Sequence, residues 1–549
     1  MHNANAAKSS KAALSGAKLP FWWALAVFST ATAAAWSLTG ESLWLDELHT
    51  SWCVEGNWVD LLERSQAGNQ PPGYMLLISS LHWTVRQMAD EAQDWILRIP
   101  SVLAHAFSGL VLFLLSSKLL RAWQRQESNP LFCDGLAAAI SVCWFCLDRS
   151  QLFYASEARA YALLQLVQFL GWLCTWQYIR PNDAGKMRTR FLLLWGLSSA
   201  IGLHLHFMAA LAILWQGITL LIVVTVRGVP KATIGIFITA LCTAAICFPT
   251  ITQGVPVWQR RDQWQSFAGN TDWYYAATMF PLVSILALPT LVLCLDQITR
   301  SNQEASNAAG IEPSKPWCTT LFWLVAFTGP WLTAWAVTAV NLAPVFHSRY
   351  VLCSAIPLVA LGICLVAQIR RRSLQIAAVA IGFCCLFYSQ GYLQLWQAGQ
   401  LIGWQRGENW RAASAWIEDH ISAGDEIWCA AGLIEGENLS LPISEQLDEY
   451  LTFPFRGAYK VQASGGQFVE PKTLVADASL WPSQWMKQET GEQGGAGTRF
   501  LVCRAAPQQL GQVLEYLKRE FTRAGYEFEL TQPIQSFGTL SAASVRGDF

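Results

Sequence analysis

Asp46 and Glu47 stand side by side just past the first long apolar run of the chain. Adjacent carboxylates can supply a general base, a metal ligand or both. Further along, Glu157 and Arg159, His204 and His206, the group Arg260, Arg261 and Asp262, and then His347 and Arg349 each fall next to an apolar run. Guanidinium groups suit a phosphate or pyrophosphate, which they grip through paired charge-assisted hydrogen bonds. Together these residue types point to acid–base chemistry beside phosphate handling. Each also has a plainer reading. A loop charge is most often solvated, Glu157 and Arg159 can be a structural ion pair, His206 an interfacial histidine, and Asp46 the cap of a short helix. Trp44, Trp52, Trp58, Trp258, Trp264, Trp273, Tyr274 and Tyr275 can stack on sugars, but anchoring at a water–lipid boundary suits most of them better.

The elements that must position these groups are membrane helices. Of 549 residues, 53% are hydrophobic and 14% charged, against about 25% charged in ordinary globular proteins. This excludes a disordered chain and a typical soluble enzyme. The net charge of -1 gives no basic footprint for nucleic acid. Trp is abundant, at 28 residues, and the indole ring favours the lipid boundary. A bilayer core takes about 20 apolar residues per helix. Apolar runs of that kind are predicted at about 20–39, 97–118, 132–149, 160–178, 232–250, 276–296, 317–340, 350–368 and 374–393. The run 191–226 is too long for one crossing and reads as a hairpin turning near His204, Leu205 and His206, which brings the total to eleven. A cleavage site at Ala33-Ala34-Ala35 is the alternative for the first run. Tyr74 to Val85, after Pro71-Pro72, reads as an interfacial or partly re-entrant helix.

Charge sets the orientation. With the N-terminus in the cytoplasm, the inner segments carry seventeen Lys and Arg up to residue 393 and the outer segments carry eight. This is the sense that the positive-inside rule requires. The inner set includes Lys8, Lys11, Lys18, Arg125, Lys186, Arg188 and Lys315. An odd number of spans places the tail outside, and all the chemistry-bearing residues named above then fall on that outer side as one polar site. From about 394 the composition becomes that of a soluble domain. Glu408 to Ile421 and Pro507 to Ala524 read as helices, and Asp425 to Ala430, Arg499 to Cys503, Phe528 to Leu530 and Gly538 to Val545 as strands. The Gly-rich stretch of Gly491, Gly494, Gly495 and Gly497 reads as a loop. Alternating helices and strands make this a small α/β domain. The predicted fold is therefore a mainly α-helical polytopic membrane protein over 1–393, with a soluble extracytoplasmic α/β domain over 394–549. The cysteines number fifteen and mostly lie in apolar runs, where they read as small hydrophobes. Cys143 and Cys146 lack a second pair at zinc spacing. A disulfide between Cys429 and Cys503 is allowed but not predicted.

Short motifs in chain order resemble those of the membrane-embedded GT-C glycosyltransferases, which include protein O-mannosyltransferases and lipid A aminoarabinose transferases. They are Ser42-Leu43-Trp44-Leu45-Asp46-Glu47, Asn69-Gln70-Pro71-Pro72-Gly73-Tyr74, Leu97-Arg98-Ile99-Pro100-Ser101, Ser156-Glu157-Ala158-Arg159-Ala160-Tyr161, His206-Phe207 and His347-Ser348-Arg349-Tyr350. Asn409-Trp410-Arg411-Ala412-Ala413 with Gly424-Asp425 resembles the start of the exported tail in bacterial members. The sequence departs from the family pattern at Gln70, where relatives are often basic, and at Gly73, where Leu is usual.

The resemblance implies transfer of a sugar from a polyprenyl-phosphate donor to a lipid, glycan or protein acceptor on the outer face of the cytoplasmic (inner) membrane, with inversion at the anomeric carbon. On the matching positions it implies Asp46 and Glu47 as catalytic residues. Gln70, Pro71, Pro72, Tyr74, Glu157, Arg159, Tyr161, His206, Arg349 and Tyr350 are then the substrate-binding set. The resemblance fixes no cofactor, and a divalent cation is compatible with the acidic pair. The rival reading is a transporter or flippase of lipid-linked sugars, whose charges would line a pathway. Paired repeats and broken helices at midplane would mark one, and the sequence shows neither. A non-catalytic scaffold of the same fold is the third reading.

Overall fold

The computed structural model describes residues 21–86, 94–123, 130–180, 189–304, 316–399, 407–430, 445–463, 466–474, 478–483, 485 and 498–548. Lys8, Lys11, Lys18, Arg125, Lys186, Arg188, Lys315 and the four glycines of the 491–497 stretch lie outside the described residues. The chain separates into two compact units. One comprises Met1–Thr39 and Arg98–Trp404, the other Gly40–Leu97 and Gln405–Phe549.

A helix lies in every predicted apolar run: Phe21–Trp36, Asp94–Trp123 (in the first unit from Arg98), Pro130–Cys146, Tyr161–Ile179, Thr189–Leu205, Ala209–Val226, Pro230–Ile246, Leu288–Glu304, Pro316–Ala339, Ala355–Gln368 and Arg372–Ser389. By length and composition, four helices among the described residues can cross a bilayer, or up to six when each sharply bent pair is taken as one span. Eleven is therefore the number of helices in apolar runs, not an established number of crossings. The helices are apolar nearly all round, as buried or lipid-facing helices must be. Trp144, Trp172 and Trp323 fill the interior, while Leu241, Val226 and Phe237 lie exposed on the flank.

Two predicted runs are bent by their own residues. The run 132–149 stops at Cys146 and turns by 69° into a short helix, Arg149–Ala155. Asp148 causes the break: it takes an extended backbone and its side chain accepts the Gln151 N–H, which caps the new helix. The run 232–250 bends equally, by 69°, where Pro249 opens the helix Phe248–Gln259. The run 276–296 is also discontinuous, with Pro281 preceding a π turn at Val283–Ala287. Gly362 and Gly382 let two neighbouring helices close on that turn. A Cβ on either would come within 2.6 Å of the Ile285 carbonyl oxygen or 2.7 Å of that of Ser284.

The second unit differs from the predicted boundary at 394, because it also takes in residues 40–97. The reason is physical. This segment folds into helices Leu45–Glu55, Trp58–Ala67 and Gly73–Arg86, whose buried side chains find partners in the tail. The Trp52 ring lies 4.5 Å from that of Tyr450, and Arg64 pairs with Glu449 at 2.9 Å. The tail itself carries strands β1 (Glu426–Ala430), β2 (Gln462–Ala463), β3 (Gln467–Phe468), β4 (Pro471–Thr473), β5 (Thr498–Cys503), β6 (Glu527–Leu530), β7 (Gln535–Phe537) and β8 (Leu540–Asp548). Among the described residues the main sheet runs β4-β1-β5-β8-β6, with β7 also on β8. β1 is parallel to β4 and β5, and β8 is antiparallel to its neighbours. The helix Pro507–Arg523 buries Leu510, Leu514, Leu517 and Phe521, one face at helical spacing. Phe521 stacks between Trp485 and Phe528, with centroids 5.6 Å from each. Cys429 and Cys503 are both free and buried. Cys429 stands opposite Val502, and Cys503 opposite Ala430. This one-residue offset turns the two thiols to opposite faces of the sheet.

Candidate functional site

Four segments of the helical unit converge on one polar cluster. The first is the link 156–160, which is non-helical and fully buried, between the helix Arg149–Ala155 and the helix Tyr161–Ile179. It presents Glu157 and Arg159, with 0% and 3% exposure. Ser101 pins the link by donating its hydroxyl to the Arg159 carbonyl at 3.0 Å. The second is the three-residue turn 206–208 between the helices Thr189–Leu205 and Ala209–Val226. The third is the loop 341–351, and the fourth the start of the Tyr161 helix.

The loop is built by one hydroxyl. Thr338, 2% exposed, donates to the Ala343 carbonyl at 3.1 Å and accepts the N–H groups of Val345 and Phe346, each at 3.0 Å. This fixes the backbone that delivers His347, Ser348, Arg349 and Tyr350. Gln165 then ties the segments together: its amide donates to Gln151 at 2.8 Å and to the Leu352 carbonyl at 2.9 Å.

Within the cluster, Arg349 Nη1 donates to the Tyr161 hydroxyl at 3.4 Å. The Tyr161 ring lies 5.4 Å from His206, and His206 lies 6.0 Å from Tyr350. Tyr154 and Ser348 share a hydroxyl hydrogen bond at 3.2 Å. His206 Nδ1 accepts the Met208 N–H at 3.1 Å, so its remaining ring proton sits on Nε2. Burial, followed by the nearby charges of Arg159 and Arg349, holds the His206 pKa down at about 3. His206 is therefore a neutral hydrogen-bond donor at physiological pH, flanked by permanently charged guanidiniums. Arginine guanidiniums, a neutral imidazole N–H and a tyrosine hydroxyl are groups able to donate hydrogen bonds to an oxyanion.

The predicted set divides between the two units. Glu157, Arg159, Tyr161, His206, Arg349 and Tyr350 belong to the helical unit, where the last four are in direct contact. The sequence does not single out Tyr154, Gln165 and Thr338, which carry no charge to mark them, and gives Ser348 no role beyond its place in the motif. Asp46, Glu47, Gln70, Pro71, Pro72 and Tyr74 belong to the other unit. There Asp46 and Glu47 fall in the first turn of the helix Leu45–Glu55, with exposures of 8% and 0%. Glu47 folds back so that Oε2 accepts the Trp44 N–H at 3.4 Å. Gln70 follows Asn69, which has a left-handed backbone at φ 58°, and donates its N–H to the Ser65 carbonyl at 3.0 Å. Pro71 is buried and Pro72 half-buried, and Tyr74 is fully buried. Among the described residues no group of three or more His, Cys, Asp or Glu gathers as a metal site. A cavity of about 1000 Å³ in the helical unit is lined by residues 277–284, by Ala380, Ile381, Cys384, Cys385, Tyr388 and Ser389, and by Asp148, Arg149, Ser150 and Gln390. It contains none of the predicted site residues.

No protein-family model matches the chain, and no curated protein matches it. Solved structures do. ArnT from Cupriavidus metallidurans bound to undecaprenyl phosphate superposes with a TM-score of 0.50 at 12% identity, covering 96% of this chain and 98% of ArnT. The apo state of the same protein gives 0.49 at 12% identity with the same coverage. An oligosaccharyltransferase from Archaeoglobus fulgidus gives 0.37 at 10% identity, covering 82% of this chain and 60% of the other. The chain has the GT-C fold of ArnT, the fold its motifs resemble.

Proposed function

We propose that this protein is a membrane glycosyltransferase that takes a sugar from a polyprenyl-phosphate donor and passes it to a lipid, glycan or protein acceptor on the outer face of the cytoplasmic membrane. The observation that supports this reading is the polar cluster of Arg349, Tyr161 and the neutral His206, with the Arg159 charge nearby, set at the ends of apolar helices in a GT-C fold. Its relative in fold is a protein solved with undecaprenyl phosphate bound.

The chemistry follows from the groups. The bond that breaks joins the anomeric carbon to the phosphate oxygen, and the electron pair leaves on the phosphate. Arg349 and Arg159 meet the developing charge, and His206 Nε2–H adds a neutral donor that does not compete as a cation. The new bond forms between the anomeric carbon and an acceptor oxygen. Asp46 takes the acceptor proton as general base. A single in-line displacement inverts the anomeric configuration. Glu47, bonded back to the Trp44 N–H, serves to fix the helix turn that carries Asp46. A flippase has no need of a base, so the effect of Asp46→Asn on transfer separates the two readings.

The test uses the purified full chain with a panel of radiolabelled polyprenyl-phosphate sugars and membrane extract. Label passing to an acceptor, with Asp46→Asn lowering turnover by about 10²- to 10⁴-fold, supports the reading. Wild-type turnover in a folded Asp46→Asn variant removes Asp46 as the base. Label that changes leaflet without changing its covalent carrier favours the flippase.

A further inference from the structure

The helix that bears the acidic pair caps itself only in part, through the 3.4 Å bond from the Trp44 N–H to Glu47 Oε2. Its N-cap residue is Trp44, whose side chain makes no capping hydrogen bond. An indole has no acceptor to offer the orphan N–H groups of a first turn. The first of these N–H groups, that of Leu45, instead donates at 2.9 Å to Glu408 Oε2, from a residue 363 positions away.

Glu408 is held as firmly as it holds. Its side chain is 2% exposed, and Arg504 Nε pairs with Oε1 at 2.8 Å. The Trp410 indole N–H donates to Oε2 at 3.1 Å. Both carboxylate oxygens are thus committed, one to charge neutralisation and one to the helix end. The next residues extend the clamp. Asn409 caps the helix Trp410–Glu418 through the Ala412 N–H at 3.1 Å. Arg411 donates to the Gly40 carbonyl at 3.0 Å and pairs with Asp94, and its own N–H donates to Ser42 at 3.3 Å. Tyr459 closes the set by accepting the Leu43 N–H at 2.6 Å and donating to Asp94 at 2.5 Å. Every residue from Gly40 to Leu45 that these bonds touch leads directly into Asp46.

We infer that Glu408 is a positioning residue for transfer: through the Leu45 N–H it sets the place and direction of the helix turn that carries Asp46 and Glu47. The soluble tail thereby takes part in the reaction geometry and is more than an appended domain. This inference rests on the proposed role of the acidic pair. Glu408 touches no substrate in this scheme and acts only through the helix.

The test compares Glu408→Ala, Glu408→Gln and Arg504→Ala in the purified full chain, with Asp46→Asn and Glu47→Gln as references. Gln keeps an acceptor for the Leu45 N–H, whereas Ala removes it. Arg504→Ala leaves the Leu45 bond in place and removes only the charge partner. Hydrogen exchange of the backbone amides over residues 43–52 reads the helix end without any substrate. Glu408→Ala should speed that exchange, and Glu408→Gln and Arg504→Ala should leave it near wild type. With the polyprenyl-phosphate sugar that the wild-type protein turns over, Glu408→Ala should lower kcat by about 10- to 100-fold, the scale of a small misplacement of a catalytic group. Its donor KM should stay near wild type, and Glu408→Gln should recover most of the loss. A merely structural carboxylate would lower the unfolding temperature without this split between kcat and KM and without rescue by Gln. Unchanged exchange in Glu408→Ala, or raised exchange with wild-type kcat while Asp46→Asn is inactive, overturns the inference and leaves the acidic pair standing. Wild-type turnover in both Asp46→Asn and Glu47→Gln overturns the role of the pair itself, and the positioning role falls with it.

Discussion

Replacing Arg349 by alanine should separate binding from folding. Inside the cluster Arg349 donates a 3.4 Å hydrogen bond to the Tyr161 hydroxyl, and its guanidinium lies 5.9 Å from the Tyr350 ring centre. Both are weak: the bond is long, and a cation–π contact at this range is worth about 0.5–1 kcal/mol. These two contacts together are worth only about 1 kcal/mol to the fold. A phosphate held by the same guanidinium is a different matter. Each hydrogen bond to a charged group contributes about 1.5–3 kcal/mol, and a forked pair about twice that. At about 1.4 kcal/mol per factor of ten, the Kd for a polyprenyl phosphate should rise by about 10²- to 10⁴-fold. The assay is titration of the detergent-purified variant with undecaprenyl phosphate, alongside its thermal unfolding. Arg349→Lys keeps the charge and loses the fork, so its Kd should fall between the two. A folded Arg349→Ala variant with wild-type affinity refutes the assignment, and Arg159 then becomes the phosphate ligand to test.

The remaining expectations are more local. Tyr459→Phe should destabilise the second unit by about 1–3 kcal/mol, because the Leu43 N–H loses its buried acceptor. Faster hydrogen exchange at Leu43 and a lower unfolding temperature would show it, and an unchanged amide would not. His206 has a folded pKa near 3 against an ordinary value of 6.5, so the unfolded chain binds its proton first as pH falls. The stability it contributes is full above pH 6.5 and drains away towards pH 3. His206→Gln should flatten that slope in thermal unfolding, and parallel slopes would show that the imidazole is not held neutral. A reporter active only outside the cytoplasm, fused after Phe549, should be active. An active cytoplasmic reporter there instead would reverse the proposed orientation.

Much of this architecture follows from one-dimensional pattern. Apolar runs of helix length can only be buried or face lipid, so the helices in those runs were legible, though not their breaks or how many cross a bilayer, and the short apolar stretches within 425–430 and 499–503 marked β1 and β5. The motif residues Tyr161, His206, Arg349 and Tyr350 were legible as a set because charge and hydrogen-bonding groups stand out at the ends of such runs. Other features were not. Asp148 looked like the end of a span, yet its capping of the Gln151 N–H bends the chain by 69°. Local propensity cannot say which carboxylate will turn a helix and which will be solvated. Thr338 and Gln165, which hold the cluster's loops, are uncharged residues in apolar helices and give no signal in composition. The unit formed by 40–97 with the tail was invisible for a plainer reason. A helix and its partner face can be recognised separately, but periodicity carries no information about which distant face will cover which. Glu408 shows the limit most clearly. In sequence it is one more acid before an amphipathic helix. Only the folded chain brings it to the Leu45 N–H, because a buried donor left open by Trp44 must be satisfied by whatever acceptor the tertiary packing supplies.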